Sequence, residues 1–274
     1  MFGLLKSWHR RRRLQRARLA EQSWQTTVAR LPVLQSLSVE ELERLRDLAT
    51  LFLSEKTLEA AGGLKLTPDM GPLIAAQACL PILHLGLDYY QEWREVILYP
   101  EGFLAHHQYT DANGLVHSVH RPLIGEAWER GPVVLSWADL VETRNQPGLN
   151  VVIHEMAHKL DMLNGAVNGL PPLHRDMSQP DWSQALSAAY SHLCQRVEQD
   201  EPTALDPYAA DSPAEFFAVV SEVFFATPAV LVHAYPDVYQ QLRAFYRQDP
   251  LARQAASGVL PAIPVPPDRA PQSG

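Results

Sequence analysis

Cysteine is nearly missing from this chain. Only Cys79 and Cys194 occur in 274 residues, too few for a disulfide scaffold or a cysteine-based zinc site. No apolar run is long enough to cross a bilayer. There is no internal repeat and no glycine-rich phosphate loop. The net charge of −8 gives the body no positive excess with which to draw in a nucleic acid, so no direct nucleic-acid partner is expected. The few apolar residues at the N-terminus precede the charges instead of following them, which is not the order of a secretory signal. A reducing cytoplasm is the expected compartment. At 46% apolar residues the chain can bury a sizeable core, and its length allows one large domain or two small ones.

Against these absences stands one pentapeptide, His154-Glu155-Met156-Ala157-His158. Histidines four apart on a helix project from one face, about one turn apart, so both imidazoles reach one divalent metal. Glu155 lies between them, placed to take a proton from a water that the metal activates. The flanks point to a buried helix. Asn150 is an N-cap, Val151, Val152 and Ile153 lead into His154, and Leu160 and Leu163 continue the apolar stripe. Ala157 is small enough to let another element approach, and Asn164 and Gly165 give a stop signal. Asp161 has two readings, an acceptor for a ligand imidazole or a surface carboxylate near the helix end.

A third protein ligand is needed. The metzincin pattern would place glycine at 161 and histidine at 164, where Asp161 and Asn164 stand, so that class is excluded. The best alternative is the stretch from Tyr208 to Phe225. Ser212 is a good N-cap and Pro213 suits the first helical position. Phe216, Phe217, Val219, Val220, Val223 and Phe224 cover most of the helix, leaving Glu215, Ala218 and Glu222 to share one face. Glu215 is modestly ahead as ligand. Its competing role is to close a capping box with Ser212, and Glu222 is a rival by geometry whose plainer role is a core-edge carboxylate in a salt bridge.

Over roughly residues 24–255 the chain resembles the Mlc titration factor A family of bacterial zinc metallopeptidases, also called DgsA anti-repressors. The resemblance is carried by residues 80–87 (LPILHLGL), 96–100 (VILYP), 131–137 (GPVVLSW), 150–161 (NVVIHEMAHKLD) and 208–225. It implies an α+β, zincin-like metallopeptidase fold, with a small mixed sheet, an active-site helix bearing the pentapeptide and additional flanking helices. It also implies one Zn2+ per chain on His154, His158 and Glu215, with Tyr208 at the active site. In a related zincin fold the same tyrosine-to-glutamate spacing serves the oxyanion; the plainer role for Tyr208 is to pack its loop against the core. The implied activity is aminopeptidase-like hydrolysis of a peptide substrate. The implied partner is a Mlc-like transcriptional repressor of sugar uptake. A non-catalytic anti-repressor that titrates this repressor is the alternative, since that role needs a surface and not an intact metal site.

The rest of the chain is organised around this centre. Residues 1–23 form a basic segment in which Lys6, Arg10, Arg11, Arg12, Arg13, Arg16 and Arg18 surround Trp8 and Leu14. It reads either as a helix that touches anionic lipid or nucleic acid, or as a solvated helix start. The domain proper runs over residues 24–256. Residues 257–274 hold five prolines and are expected to be disordered. Ser38 and Glu41 form a capping box before a helix to about Leu53. Helices are also expected over Gly71–Leu80, Ser183–Glu198 and Pro236–Gln248, with short strands at Val96–Tyr99, Leu115–Val119 and Val133–Trp137. Pro132 opens the last of these, which suits an edge strand whose free edge would pair with a peptide. His84, His106, His107 and His174 have no ligand spacing.

Overall fold

The computed structural model describes residues 2–101, 103–110, 116–123, 125–127, 131–143 and 148–258. The proline-rich tail lies outside the described residues from 259 onward. In chain order the elements begin with α1 (Phe2–Ala17), α2 (Glu21–Ala29), α3 (Val39–Glu55), β1 (Thr57–Ala60) and α4 (Met70–Cys79). The strands β2 (Glu95–Tyr99), β3 (Phe103–Thr110), β4 (Val116–Leu123), β5 (Gly125–Ala127) and β6 (Val133–Ser136) follow. The remaining helices are α5 (Trp137–Thr143), α6 (Val151–Asp161), α7 (Gln179–Glu198), α8 (Pro213–Ala226), α9 (Pro228–Ala234), α10 (Pro236–Tyr246) and α11 (Pro250–Ser257). Helices and a small sheet together make this α+β.

The sheet runs β1-β2-β6-β5, with the first three strands parallel and β5 antiparallel. Register sets Val96 beside Val133 and Leu98 beside Leu135, all four fully buried or nearly so. β3 and β4 form a separate antiparallel pair. One sequence expectation fails here. β6 is not an edge strand, because β2 pairs with one side of it and β5 with the other. Pro132 precedes the strand's first residue, so its missing N–H costs the ladder nothing. The edge belongs to β5, which packs against α6.

α8 is the centre of the molecule. Its residues from Phe216 to Phe225 are all buried, and a helix apolar on nearly every side must lie inside the core. α6 packs along it, and Ala157 and Ala218 are both fully buried. Phe217 meets Trp182 of α7 and Phe245 of α10, and Phe224 stacks on Tyr246. Ser221, the polar hydroxyl in this helix, accepts from the Tyr246 phenol at 2.8 Å and donates to the Phe217 carbonyl.

The capping box of Ser38 and Glu41 is formed, and α3 runs on to Glu55. α4 ends at Cys79, before Pro81, so no helix crosses that proline. α7 begins earlier than its apolar pattern suggests, because Ser178 caps it four residues before the run from Trp182. α1 docks on α3. Arg10 pairs with Glu55 and Asp88, Arg13 donates to Ser54, and Arg18 pairs with Glu43 and Asp47. Three of the basic residues are thus matched to acidic or carbonyl partners on the body, while Trp8, Arg11, Arg12 and Arg16 face outward.

Candidate metal centre

Asn150 starts the helix that carries the pentapeptide. Its side chain accepts from the Ile153 amide, leaving Val151, Val152 and Ile153 to be buried and His154 and His158 to face α8. At the far end Gly165, with φ +86°, closes the following turn in a left-handed conformation. Ser212 caps α8 by accepting from the Glu215 amide. The Glu215 carboxylate does not reach back to Ser212; it is turned to the histidines.

Three atoms converge there. His154 Nε2 lies 3.0 Å from Glu215 Oε2 and 3.2 Å from His158 Nε2, and His158 Nε2 lies 3.4 Å from Glu215 Oε2. Ligands bound tetrahedrally at about 2.0–2.1 Å stand about 3.3–3.4 Å from one another, so the triangle is nearly one face of a zinc tetrahedron. Among the described residues this is the one group of three or more that could hold a metal ion. His84 and His174 stand elsewhere, the first 3.5 Å from Glu41 and the second donating to the Phe245 carbonyl at 2.8 Å.

The electrostatics fit a cation between these atoms. Burial works against a charged His154, yet hydrogen bonds to Glu215 and Glu222 raise its pKa well above the usual imidazole value. Burial also works against a charged Glu215, but the two histidines hold its carboxyl well below the usual range. Glu155 is 2% exposed, and its Oε2 has no partner among the described residues. Burial pushes its pKa up to about 7, only partly opposed by His154 and His158. A buried carboxylate oxygen without a donor, beside two imidazoles, is placed to take a proton that a ligand brings.

Tyr208 lies in a short 3-10 turn, Pro207–Ala210, that packs against α8. Its ring centroid is 6.1 Å from that of His154 and the residue is 40% exposed. Burial of the hydroxyl raises its pKa, and so do the charge of Glu215 and a hydrogen bond to it. The phenol is therefore protonated at neutral pH and can donate.

Asp161 takes a role that neither sequence reading of it described, and Glu222 follows its plainer reading, a carboxylate at the edge of the core in an ion pair, here with His154. Asp161 is fully buried, so it is no surface carboxylate, and it bonds no imidazole; Oδ2 accepts from the Gly169 amide at 2.8 Å. Glu222 stands on the opposite side of the His154 ring from the cluster, with Oε1 2.7 Å from Nδ1. Gln77 was not singled out by sequence, although it is the one polar side chain in α4. It accepts from Asn150 Nδ2 at 2.9 Å and so ties α4 to the cap of α6.

Residues 5–247 match the family described as glucose-regulated metallo-peptidase M90. The chain is 39% identical over 242 residues to Mlc titration factor A of Klebsiella pneumoniae subsp. pneumoniae, covering 88% of this chain and 91% of that protein. It is 41% identical over 234 residues to Mlc titration factor A of Serratia proteamaculans, covering 84% and 88%. The Yersinia pestis protein of the same name is 41% identical over 227 residues, covering 81% and 83%.

Proposed function

The chain belongs to the glucose-regulated metallo-peptidase M90 family, and from that membership we propose that it is a zincin-like zinc peptidase of the aminopeptidase type. The observation that carries this is the triangle of His154 Nε2, His158 Nε2 and Glu215 Oε2, with edges of 3.0, 3.2 and 3.4 Å. Two imidazoles and a carboxylate suit Zn2+, one per chain. Zinc held there would supply a Lewis acid for a peptide carbonyl and for the attacking water.

The chain's own groups do the rest. Glu155 takes the proton of the attacking water and later hands it to the leaving amine. Its burial suits the task, since desolvation makes the carboxylate a stronger base than a free one. Tyr208 donates its phenol hydrogen to the oxyanion as charge develops. In this proposal residues 24–256 make the peptidase domain, and the basic segment 1–23 is docked on it through Arg10 and Arg18.

A partner-binding role stands beside the catalytic one. The relatives are named as Mlc titration factors, so we propose a Mlc-like repressor of sugar uptake as a partner of this chain. No helix among the described residues is long and apolar enough to cross a membrane, and a cytoplasmic site of action, where such a repressor works, is part of the proposal. A Glu155→Gln variant tests both roles at once. It is expected to retain zinc and repressor in a pull-down while losing hydrolysis of aminoacyl chromogenic substrates. Retained hydrolysis would contradict the peptidase proposal; failure of wild type and variant alike to hold the repressor would contradict the partner.

A further inference from the structure

We propose that Glu222 is a positioning residue for this metal centre, which fixes the ring orientation and tautomer of His154 from the side remote from the ion. The proposal rests on the zinc-peptidase reading above and deepens it.

His154 can offer only one ring nitrogen to a metal, and the other must carry the proton. Nδ1 stands 2.7 Å from Glu222 Oε1, and this carboxylate is only 5% exposed. A buried carboxylate oxygen at that distance is an acceptor, so the proton belongs on Nδ1. Nε2 is then left with its lone pair facing His158 Nε2 and Glu215 Oε2. Because Glu222 lies across the ring from Nε2, it cannot bind the same ion as that nitrogen, which removes it as a rival to Glu215.

The second oxygen of Glu222 is used as well. It accepts from the backbone amide of Asn150, the residue that caps α6. Asn150 in turn donates to Gln77, and Gln77 Nε2 donates to the Leu73 carbonyl. The carboxylate is thus tied to a chain of bonds that ends in the backbone of α4, and it has little freedom to turn. One helix, α8, supplies Glu215 to the cluster and Glu222 to the back of its neighbour two turns on. His158 has no such support. Its Nδ1 lacks a partner among the described residues, and Asp161 is engaged by Gly169 instead. Among the described residues nothing behind that ring holds it, so orientation from behind falls on Glu222. Carboxylates behind a ligand histidine typically account for 10–100-fold in metal affinity.

The test is zinc affinity of the full chain, measured by competition with a chromogenic chelator. Glu222→Ala is expected to bind one zinc 10–100-fold more weakly than wild type, and His154→Ala more weakly still. Unchanged affinity in Glu222→Ala overturns the proposal. So does a loss as deep as that of His154→Ala, which would make Glu222 a ligand. If Glu222→Ala does not fold, wild-type protein decides: long-range 1H–15N spectra of the zinc-loaded chain are expected to show the His154 proton on Nδ1 and the metal on Nε2. The reverse assignment overturns it. Wild type that binds no zinc would end the peptidase reading itself, whereas zinc binding with the wrong tautomer ends only this inference.

Discussion

Glu155 and Tyr208 sit at the same cluster, and their substitutions should behave differently. Glu155 is buried and is not one of the three converging ligand atoms. Glu155→Gln should keep its zinc and lose hydrolysis by about 100-fold or more; metal analysis beside turnover on aminoacyl substrates checks this. Tyr208 is 40% exposed as a residue, but its hydroxyl is buried beside Glu215. Tyr208→Phe should lower kcat with little change in KM or zinc content. Removal of such a donor typically costs ~2.7–4 kcal/mol of transition-state stabilisation. Unchanged kcat in zinc-loaded Tyr208→Phe would reduce the tyrosine to loop packing. Lys56 offers a prediction outside the site. The residue is 7% exposed, and its ammonium donates to the Tyr90 and Trp93 carbonyls and lies 3.9 Å from the Trp93 ring centroid. Burial lowers its pKa to about 8 against the pull of Glu55, from an ordinary 10.5. Between those values the unfolded chain holds the proton that the folded one has released, so Lys56 makes stability rise with pH there. Below about 8 both states are protonated and the contribution is flat. Urea midpoints should therefore show the wild type gaining on Lys56→Met as pH goes from 8 to 10, by at most about 1.4 kcal/mol per unit. A gap that does not widen over that range would contradict this.

Among the elements, the joint between α6 and α8 depends on Gly169. Its amide donates to Asp161 at the end of α6, its carbonyl accepts from Trp182 Nε1 at 3.0 Å, and φ is +76°. A Cβ there would lie 2.5 Å from the Pro213 carbonyl oxygen, two residues before Glu215. Gly169→Ala combines a strained backbone with a contact that only backbone movement relieves. It should destabilise the fold by about 1–3 kcal/mol and weaken zinc binding by shifting the start of α8. Thermal unfolding of the apo-protein separates the two effects; normal stability and normal zinc affinity would show that the joint is slack. Sequence made the helices of this region legible because their signals are local. Asn150, Ser212 and the apolar residues behind each act within one turn. Gly169 gave no such signal, since its need for a missing side chain comes from Pro213, far along the chain. The edge assignment of β6 failed for the same reason. Pro132 limits only the residue it occupies, while β6 is made internal by pairing with β5 on one side and with the distant β2 on the other.

At the scale of the whole molecule, the site is built where two helices distant in sequence cross. His154, Glu155 and His158 were legible because one helical turn brings them together. The choice between Glu215 and Glu222 was open, since both lie on the same face of α8 two turns apart. Only the depth at which α6 meets α8 puts Glu215 beside the Nε2 atoms and Glu222 behind Nδ1. Gln77 could have been flagged by its isolation in an apolar helix, but its partner Asn150 could not. The central claim is that His154, His158 and Glu215 hold one zinc that hydrolysis requires. Its most direct test is zinc stoichiometry together with aminoacyl-substrate hydrolysis for wild type, chelator-stripped and Glu215→Ala protein. About one zinc per wild-type chain, activity lost on stripping and restored by added zinc, and neither zinc nor activity in Glu215→Ala is the predicted result. Full zinc in Glu215→Ala, or undiminished hydrolysis by the stripped protein, would contradict it.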